Sequence, residues 1–209
     1  MALFGLEHSR FAYRADFALH GTAVAALAGV LMLAGPADRW LVLVSFVVAG
    51  LVGWTALEYA LHRFVLHGVR PFSGWHAQHH QRPTALIYAP TVMIALLFVV
   101  GVFLPTLALF DAWIACALTL GLLSGYLAYS VTHHATHHWR ADGAWLKRRK
   151  RWHALHHHHT QQPACYGVTM AVWDHAFGST GQRRHADHGA GGGWKRARWP
   201  LGPVRRRTI

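Results

Sequence analysis

Four long apolar windows constrain the fold of this chain more than any other feature of its sequence. Each approaches the roughly 20 residues that an α-helix needs to cross a bilayer. The whole chain is 53% hydrophobic and only 13% charged, whereas ordinary soluble domains are about 25% charged. These values predict an all-α integral membrane protein with four transmembrane helices, organised as a single domain over residues 1–209. The windows are residues 17–35, 41 to about 59, 89 to about 109, and 112–131.

The basic residues are concentrated toward the C-terminus. Fourteen of the 20 Lys and Arg residues lie from Arg140 onward, including the runs 147–151 and 205–207. Such clusters can bind nucleic acid, but in a chain with several spans the positive-inside rule is the simpler explanation. We therefore expect a cytoplasmic C-terminus in contact with anionic lipid head groups, and no nucleic-acid partner. Residues 179–209 are then a basic cytoplasmic tail.

Nineteen histidines are the second unusual feature, and most of them fall into four clusters. With four spans and a cytoplasmic C-terminus, all four clusters lie on the cytoplasmic face, which predicts a histidine-rich helical cap. Neutral imidazole is the commonest protein ligand for transition metals, so this cap predicts a binuclear metal site. The clusters are His62 and His67; His76, His79 and His80; His133, His134, His137 and His138; and His153 with His156, His157, His158 and His159.

The spacing within the clusters narrows the choice of ligands. His76, His79 and His80 follow an i, i+3, i+4 pattern that places three rings on one helical face, and the cluster from His153 repeats it. In the third cluster two i, i+4 pairs compete, rotated by about 100° around the helix, and geometry alone does not choose between them. His62 and His67 are about 140° apart on an ideal helix. They must approach the metals from different sides, or the helix must loosen between them.

The isolated histidines and the two cysteines indicate no additional site. Cys116 and Cys165 lack CxxC spacing, so neither a zinc ribbon nor a disulfide scaffold is indicated. Cys116 is expected to be a small apolar packing residue within a span. The isolated histidines are expected at the surface or at interfaces: His8, His20, His175, His185 and His188.

The order HxxxxH, HxxHH, HxxxH, HxxHH on a four-span frame resembles the fatty acid hydroxylase/sterol desaturase superfamily, and is closest to its fatty acid 2-hydroxylase branch. EYALHRFVLH at 58–67 resembles the EYxLHRFxxH signature of that branch. GYLAYSVTHHATH at 125–137 is similar to its GYxxYDxTHxxxH segment, with Ser130 where an Asp is usual. Tyr166-Gly167-Val168-Thr169, followed by Val172-Trp173-Asp174, is similar to its FGIS…WD tail. The resemblance covers residues 58 to about 178.

The resemblance implies ten metal ligands, and it selects His133 and His137 in the third cluster. It leaves His134, His138, His158 and His159 without an assigned role. Glu58, Asp174 and Tyr59 are candidates for orienting the ligand imidazoles, although Tyr59 and Trp173 fit equally well as interface aromatics. The implied ligands are His62, His67, His76, His79, His80, His133, His137, His153, His156 and His157.

The family implies a non-heme di-iron centre that uses O2 to hydroxylate a lipid, here most closely the 2-position of a fatty acyl chain. A redox metal is needed because no protein side chain activates dioxygen for attack on an alkyl C–H bond. Zinc binds such sites more tightly than ferrous iron, so purified protein could contain zinc. Electrons are expected from a separate donor, either cytochrome b5-like or a ferredoxin.

Three alternatives remain open. Within the superfamily they are a sterol or carotenoid hydroxylase and a desaturase, because the ligand set scarcely distinguishes these reactions. From another class, a membrane metal transporter or a metal-storage (metal-binding) protein is possible. Transport sites usually lie near the bilayer midplane, whereas these clusters sit at helix ends. The compact chain suggests a bacterial inner membrane, or the endoplasmic reticulum for a eukaryotic source, with the active site on the cytoplasmic side.

Overall fold

The computed structural model describes residues 7–158 and 163–181. Within these ranges the chain is helical and contains no β-strand, only one isolated bridge between Glu7 and Ile87. The predicted all-α fold with four apolar helices is confirmed. The helices long and apolar enough to cross a membrane are Arg10–Ala34, Ala37–Leu66, Thr91–Leu109 and Ala112–His138.

The first and fourth spans are longer than hydropathy predicted. The first helix, α1, runs from Arg10 to Ala34, because the Ser9 side chain caps it by accepting a hydrogen bond from the backbone N–H of Ala12 at 3.1 Å. The fourth, α6, runs from Ala112 to His138 without a break. Its last turns are polar but still helical. The third histidine cluster is therefore part of the span itself.

The second span combines three helical forms. Helix α2, Trp40–Ala60, follows a short 3₁₀ turn at Ala37–Arg39 and continues directly into a π-helical segment, Leu61–Leu66. A π-helix pairs residues five apart, so this segment brings His62 and His67 to one side, with ring centroids 5.4 Å apart. The alternative that the helix loosens between these two histidines is confirmed.

Helices α2 and α6 form the tightest contact in the bundle. A Cβ atom added at Gly50 would lie 2.6 Å from the carbonyl oxygen of Leu118, and one at Gly121 would lie 2.1 Å from that of Val47. Small residues allow helices to approach this closely in a membrane. The close contact sets the relative position of the histidines on α6 and of His62 on the π segment that continues α2.

The third span is interrupted by a second π-helical segment. Helix α4, Thr91–Phe98, is followed by the π segment Val99–Phe103 and then by α5, Leu104–Leu109. Pro105 explains the widening, because its ring cannot donate to the carbonyl of Gly101 and clashes with it in a regular α-helix. The π segment and α5 pack against α6, while α4 reaches the bundle through side chains such as Ile94 and Phe98.

Three short helices and a loop build the cap. Helix α3 is Phe72–Gln81, α7 is Ala144–His158 and α8 is Val172–Ala176, with the ordered loop 163–171 between the last two. His159, His185, His188 and most of the predicted basic tail lie outside the described residues.

Candidate metal centre

Nine of the ten predicted ligands form two compact groups in the cap. Within each group, one ring nitrogen from every histidine lies within 4.8 Å of the corresponding atoms of the others. The tenth, His157, lies between the groups, with Nε2 3.1 Å from Nε2 of His153 and its ring stacked on His80. The first group is His62, His67, His76, His80 and His156; the second is His79, His133, His137 and His153.

Each HxxHH motif is divided between the two groups. On α3, His76 and His80 belong to the first group while His79 belongs to the second. On α7, His156 belongs to the first group and His153 to the second. The two helices therefore hold the groups side by side, as a binuclear centre requires.

The Nε2 atoms of the first group form a continuous series of contacts. His76 Nε2 lies 3.0 Å from that of His62 and 2.9 Å from that of His80. His156 Nε2 in turn lies 3.1 Å from that of His80 and 3.2 Å from that of His67. Two nitrogens bound to one ion at about 2.0–2.1 Å lie no more than about 4.2 Å apart. All four separations are within that limit.

The second group shows the same convergence around α6. His79 Nε2 lies 3.1 Å from His133 Nε2, and His153 Nε2 lies 2.8 Å from His137 Nε2. The alternative pair points elsewhere. His134 Nδ1 contacts the Tyr13 hydroxyl at 2.9 Å, and its ring stacks on His138. The structure thus brings His133 and His137 to the centre, while the ligand roles of all ten histidines stay a prediction.

Backbone carbonyls define the protonation of two rings. His62 Nδ1 donates to the carbonyl of Tyr166 at 2.6 Å, and His156 Nδ1 donates to that of Ala164 at 2.7 Å. A carbonyl oxygen only accepts, so the proton of each neutral ring is on Nδ1. The Nε2 atoms of both rings then carry a lone pair directed into the first group, which is the form that binds a metal.

Burial keeps the cap imidazoles neutral. Burial, together with the neighbouring histidines, lowers the pKa of His67 to about 4, that of His157 to about 3 and that of His79 to about 2. Burial likewise lowers the pKa of His76 and His153 well below the usual value. Metal ligands must be deprotonated, so the site is ready to bind cations at neutral pH.

Two buried carboxylates hold the loop that supplies these carbonyls. Glu58, 4% exposed, accepts from the backbone N–H groups of Val168 and Thr169 at 2.7 and 2.9 Å, and from the Thr169 hydroxyl at 2.5 Å. Asp174 is fully buried. It accepts from the backbone N–H groups of Tyr166 and Gly167, both at 2.8 Å.

Two of the predicted orienting residues contact the loop and not the predicted ligands themselves. Glu58 and Asp174 bond to the loop backbone, and the loop carbonyls hold the rings. Tyr59 is 3% exposed, so the reading of it as an interface aromatic is wrong. Its hydroxyl contacts Ser179 and accepts from Arg63. Trp173 is half-buried and donates from Nε1 to the Thr55 hydroxyl at 3.0 Å.

Some features around the site were not visible in the sequence. Ala164 and Tyr166 contribute backbone carbonyls, for which side-chain patterns provide no signal. Arg149 belongs to the basic run 147–151, yet it is only 6% exposed. It shares the buried face of α7 with His153 and His156.

The isolated histidines differ from one another. His20 was expected at a surface or interface, but it is 3% exposed. It is buried because α1 packs on α6, where its ring meets that of Tyr126, and its Nδ1 donates to the Asp16 carbonyl. His175 is exposed, as expected, and His8 is half-buried. Cys116, expected to pack within its span, is half-buried.

An apolar cavity of about 410 Å³ adjoins the histidines. It lies between the second, third and fourth spans, and its wall includes Leu57, Met93, Leu97 and Phe98. At the cap end its lining includes four predicted ligands: His62, His76, His79 and His133.

The site fits the metal pair that the resemblance implies. All ten candidate donors are imidazoles, a ligand type that suits iron as well as zinc, copper and nickel. Two of them have their Nε2 lone pairs fixed toward the centre, and the ring nitrogens lie at separations that a shared ion allows. These histidine clusters are compatible with metal binding.

Comparison with known proteins identifies the family. A model of the fatty acid hydroxylase family matches residues 47–179. The chain belongs to the fatty acid hydroxylase family. The resemblance drawn from the histidine spacing is therefore confirmed, and the family match contains all ten candidate ligands.

Several relatives of this fatty acid hydroxylase family member are hydroxylases by name. The dihydroceramide fatty acyl 2-hydroxylase FAH2 of Arabidopsis thaliana is 35% identical over 148 residues, covering 65% of this chain and 61% of that protein. The ceramide very long chain fatty acid hydroxylase scs7 of Schizosaccharomyces pombe is 31% identical, covering 67% of this chain and 43% of the relative. The fatty acid 2-hydroxylase of Rattus norvegicus is 31% identical, and the match covers 65% of this chain and 39% of that protein. The match thus spans less than two thirds of each relative.

The fold of this family member is also similar to a solved structure. Full-length scs7p, of which only the hydroxylase domain is visible, superposes with a TM-score of 0.69. The identity is 24%, and the match covers 80% of this chain and 66% of that chain. This likeness supports the four-span architecture with its helical cap.

Proposed function

We propose that this protein is an O2-dependent, non-heme di-iron hydroxylase that adds a hydroxyl group to the 2-position of a fatty acyl chain. The main support for this proposal is the apolar cavity, one end of which is lined by predicted ligands. A lipid chain in this cavity would meet the imidazoles at one end and only apolar or aromatic walls along most of its length. The names of the relatives support a fatty acyl or ceramide substrate.

The histidines of the cap would hold two iron ions. Bound there, the iron pair would supply the redox chemistry that activates dioxygen. The chain itself supplies orientation: Tyr166 and Ala164 fix the rings of His62 and His156 through their carbonyls. It would also limit the access of water along the acyl chain, since most of the cavity wall away from the histidines is apolar or aromatic.

The reaction needs electrons and protons from outside the site. Its balance is R–H + O2 + 2 e⁻ + 2 H⁺ → R–OH + H2O. We propose a separate donor, a cytochrome b5-like protein or a ferredoxin, on the cap side. The cap would lie on the cytoplasmic side of the bacterial inner membrane. In a eukaryote it would lie on the cytoplasmic side of the endoplasmic reticulum membrane. The basic residues from Arg140 onward favour that orientation through the positive-inside rule and would contact anionic head groups.

The test is lipid analysis of cells with and without the protein. Mass spectrometry should detect acyl lipids that gain one oxygen, and the product should disappear in anaerobic culture. His79→Ala should abolish the product and reduce bound metal, because His79 Nε2 contacts His133 in the second group. His175→Ala changes an exposed histidine on α8 and is the matched control, with activity expected to be retained.

The outcomes separate the competing functions. Loss of two hydrogens instead of gain of oxygen would indicate a desaturase, and oxygen on a sterol or carotenoid would indicate a different substrate class. Activity that survives His79→Ala or the removal of oxygen would contradict the proposal. Metal uptake by proteoliposomes would favour a transporter. The position of the histidine groups at the cap ends of the spans makes that outcome unexpected.

A further inference from the structure

The deep end of the apolar cavity lies well inside the membrane part of the bundle. Trp54 lies about 12 Å along its helix from His62, and Leu122 about 16 Å from His133, at a rise of about 1.5 Å per residue. Both line the cavity together with Gly101 of the third span. The cavity therefore extends from the histidines toward the middle of the bilayer.

Gly101 lies in the cavity wall and is exposed, with free space around it. It lies within the π segment Val99–Phe103, and a Cβ atom added there would meet no heavy atom within 4 Å. The buried glycines of the spans, in contrast, are closed off. A Cβ at Gly125, for example, would lie 2.5 Å from the Trp54 side chain. The wall at Gly101 thus leaves open a volume that a larger residue would fill.

We propose that the deep end of this cavity selects the length of the acyl chain, and that Gly101 admits the longest chains. The inference rests on the proposed function, because it takes an acyl chain as the occupant of the cavity. If the carbon beside the histidines is the 2-position, nearly the whole chain lies beyond it. The methyl end then reaches the wall formed by Trp54, Gly101 and Leu122.

Close packing against this wall would limit the length of the acyl chain that the cavity accepts. Apolar interiors are packed as densely as organic crystals, so a carbon added to the wall displaces roughly one carbon of the occupant. A leucine side chain has four carbons. Gly101→Leu should therefore shorten the longest chain accepted by about four carbons, and Gly101→Ala by about one. Leu122→Ala enlarges the same end and should act in the opposite direction.

Gly53→Leu is the matched control. Gly53 lies on α2 at an exposed position, outside the cavity wall, and a Cβ there also meets nothing within 4 Å. The substitution adds the same side chain to a span without changing the cavity. Thermal unfolding and metal content of each purified variant should match the parent protein, which shows that the fold is intact.

The experiment measures binding and product separately. Purified protein in nanodiscs binds a fluorescent fatty acid, which a series of saturated fatty acids of increasing length displaces. Gly101→Leu should weaken the binding of the longest fatty acids about tenfold or more relative to that of the shorter ones. This is the range expected for overpacking. In expressing cells the hydroxylated products should shift to shorter chains by the same interval. Leu122→Ala should shift both measurements to longer chains.

The two readouts keep this inference distinct from the proposed function. A displacement profile that shifts with Gly101→Leu, without any hydroxylated product, would support the length limit and contradict the hydroxylase assignment. Hydroxylated product with an unchanged chain-length profile would overturn the length limit, since the tail would then leave the cavity before reaching Gly101. A shift of equal size in Gly53→Leu would also overturn it.

Discussion

His62 and His156 present the same ring nitrogen to the centre because a loop carbonyl holds the other nitrogen of each ring. The loop is in turn held by Glu58 and Asp174, which accept its backbone N–H groups. Hydrogen bonds at both ends of the loop backbone thus connect two buried carboxylates to two predicted ligands. The carboxylates were expected to orient the imidazole rings directly. In the structure they hold the loop backbone, and the loop carbonyls orient the rings of His62 and His156.

Glu58→Gln tests this arrangement. The amide keeps the shape of the carboxylate but weakens charge-assisted hydrogen bonds to Val168 and Thr169, so the protein should lose about 1–3 kcal/mol of stability. Metal affinity should fall about 10- to 100-fold, as for other supporting residues around metals. Thermal unfolding and metal titration measure the two effects.

Glu7→Gln is the control. It removes an ion pair with Arg82 in which both side chains are more than half exposed, and should be nearly neutral.

The third histidine cluster offers a second test on single residues. His133→Ala should lower the bound metal measured by elemental analysis, because its Nε2 lies 3.1 Å from that of His79. His134→Ala should leave metal content unchanged, because this ring is turned toward Tyr13 and His138. Equal metal loss in both variants would contradict the assignment of His133 and His137.

The helices show why spacing rules succeeded in some places and not in others. The i, i+3, i+4 motifs are on helices, as predicted, but each motif serves two groups because its helix lies across the centre. The π segment Leu61–Leu66 satisfies the need to bring His62 and His67 together. The sequence already indicated that a regular α-helix would not place these two rings on one side. The second π segment, Val99–Phe103, was not predicted, although Pro105 is a visible cause.

The contact between α2 and α6 supports a prediction about these elements. Gly121→Ala places a Cβ 2.1 Å from the carbonyl oxygen of Val47, so the helices must separate at a cost of about 1–3 kcal/mol. The melting temperature in detergent should fall, and bound metal should decrease because predicted ligands lie on α6 and on the π segment that continues α2. Gly53→Ala on the exposed face of α2 has free space and should leave both quantities unchanged.

At the scale of the molecule, the bundle and the cap should depend differently on metal. The spans are held by helix packing, whereas the cap brings ten imidazoles together, and metal binding to the folded state adds stability by mass action. Removing metal with a chelator should therefore raise hydrogen exchange in α3 and α7 while the α2–α6 contact stays protected. Equal loosening of spans and cap would show that the metal stabilises the whole fold. Restoring the metal should restore protection.

The sequence by itself determined the membrane architecture, the placement of the histidine clusters at one end of the spans, and the family. These follow from local properties, since hydropathy, helical spacing and motif order are all read along the chain. Only the tertiary structure decided which histidines share a group, that backbone carbonyls of the loop orient His62 and His156, that His20 and Arg149 are buried, and that an open cavity runs to Gly101. The physical reason is that these features depend on how separate helices approach one another, and residues far apart in the chain set that approach.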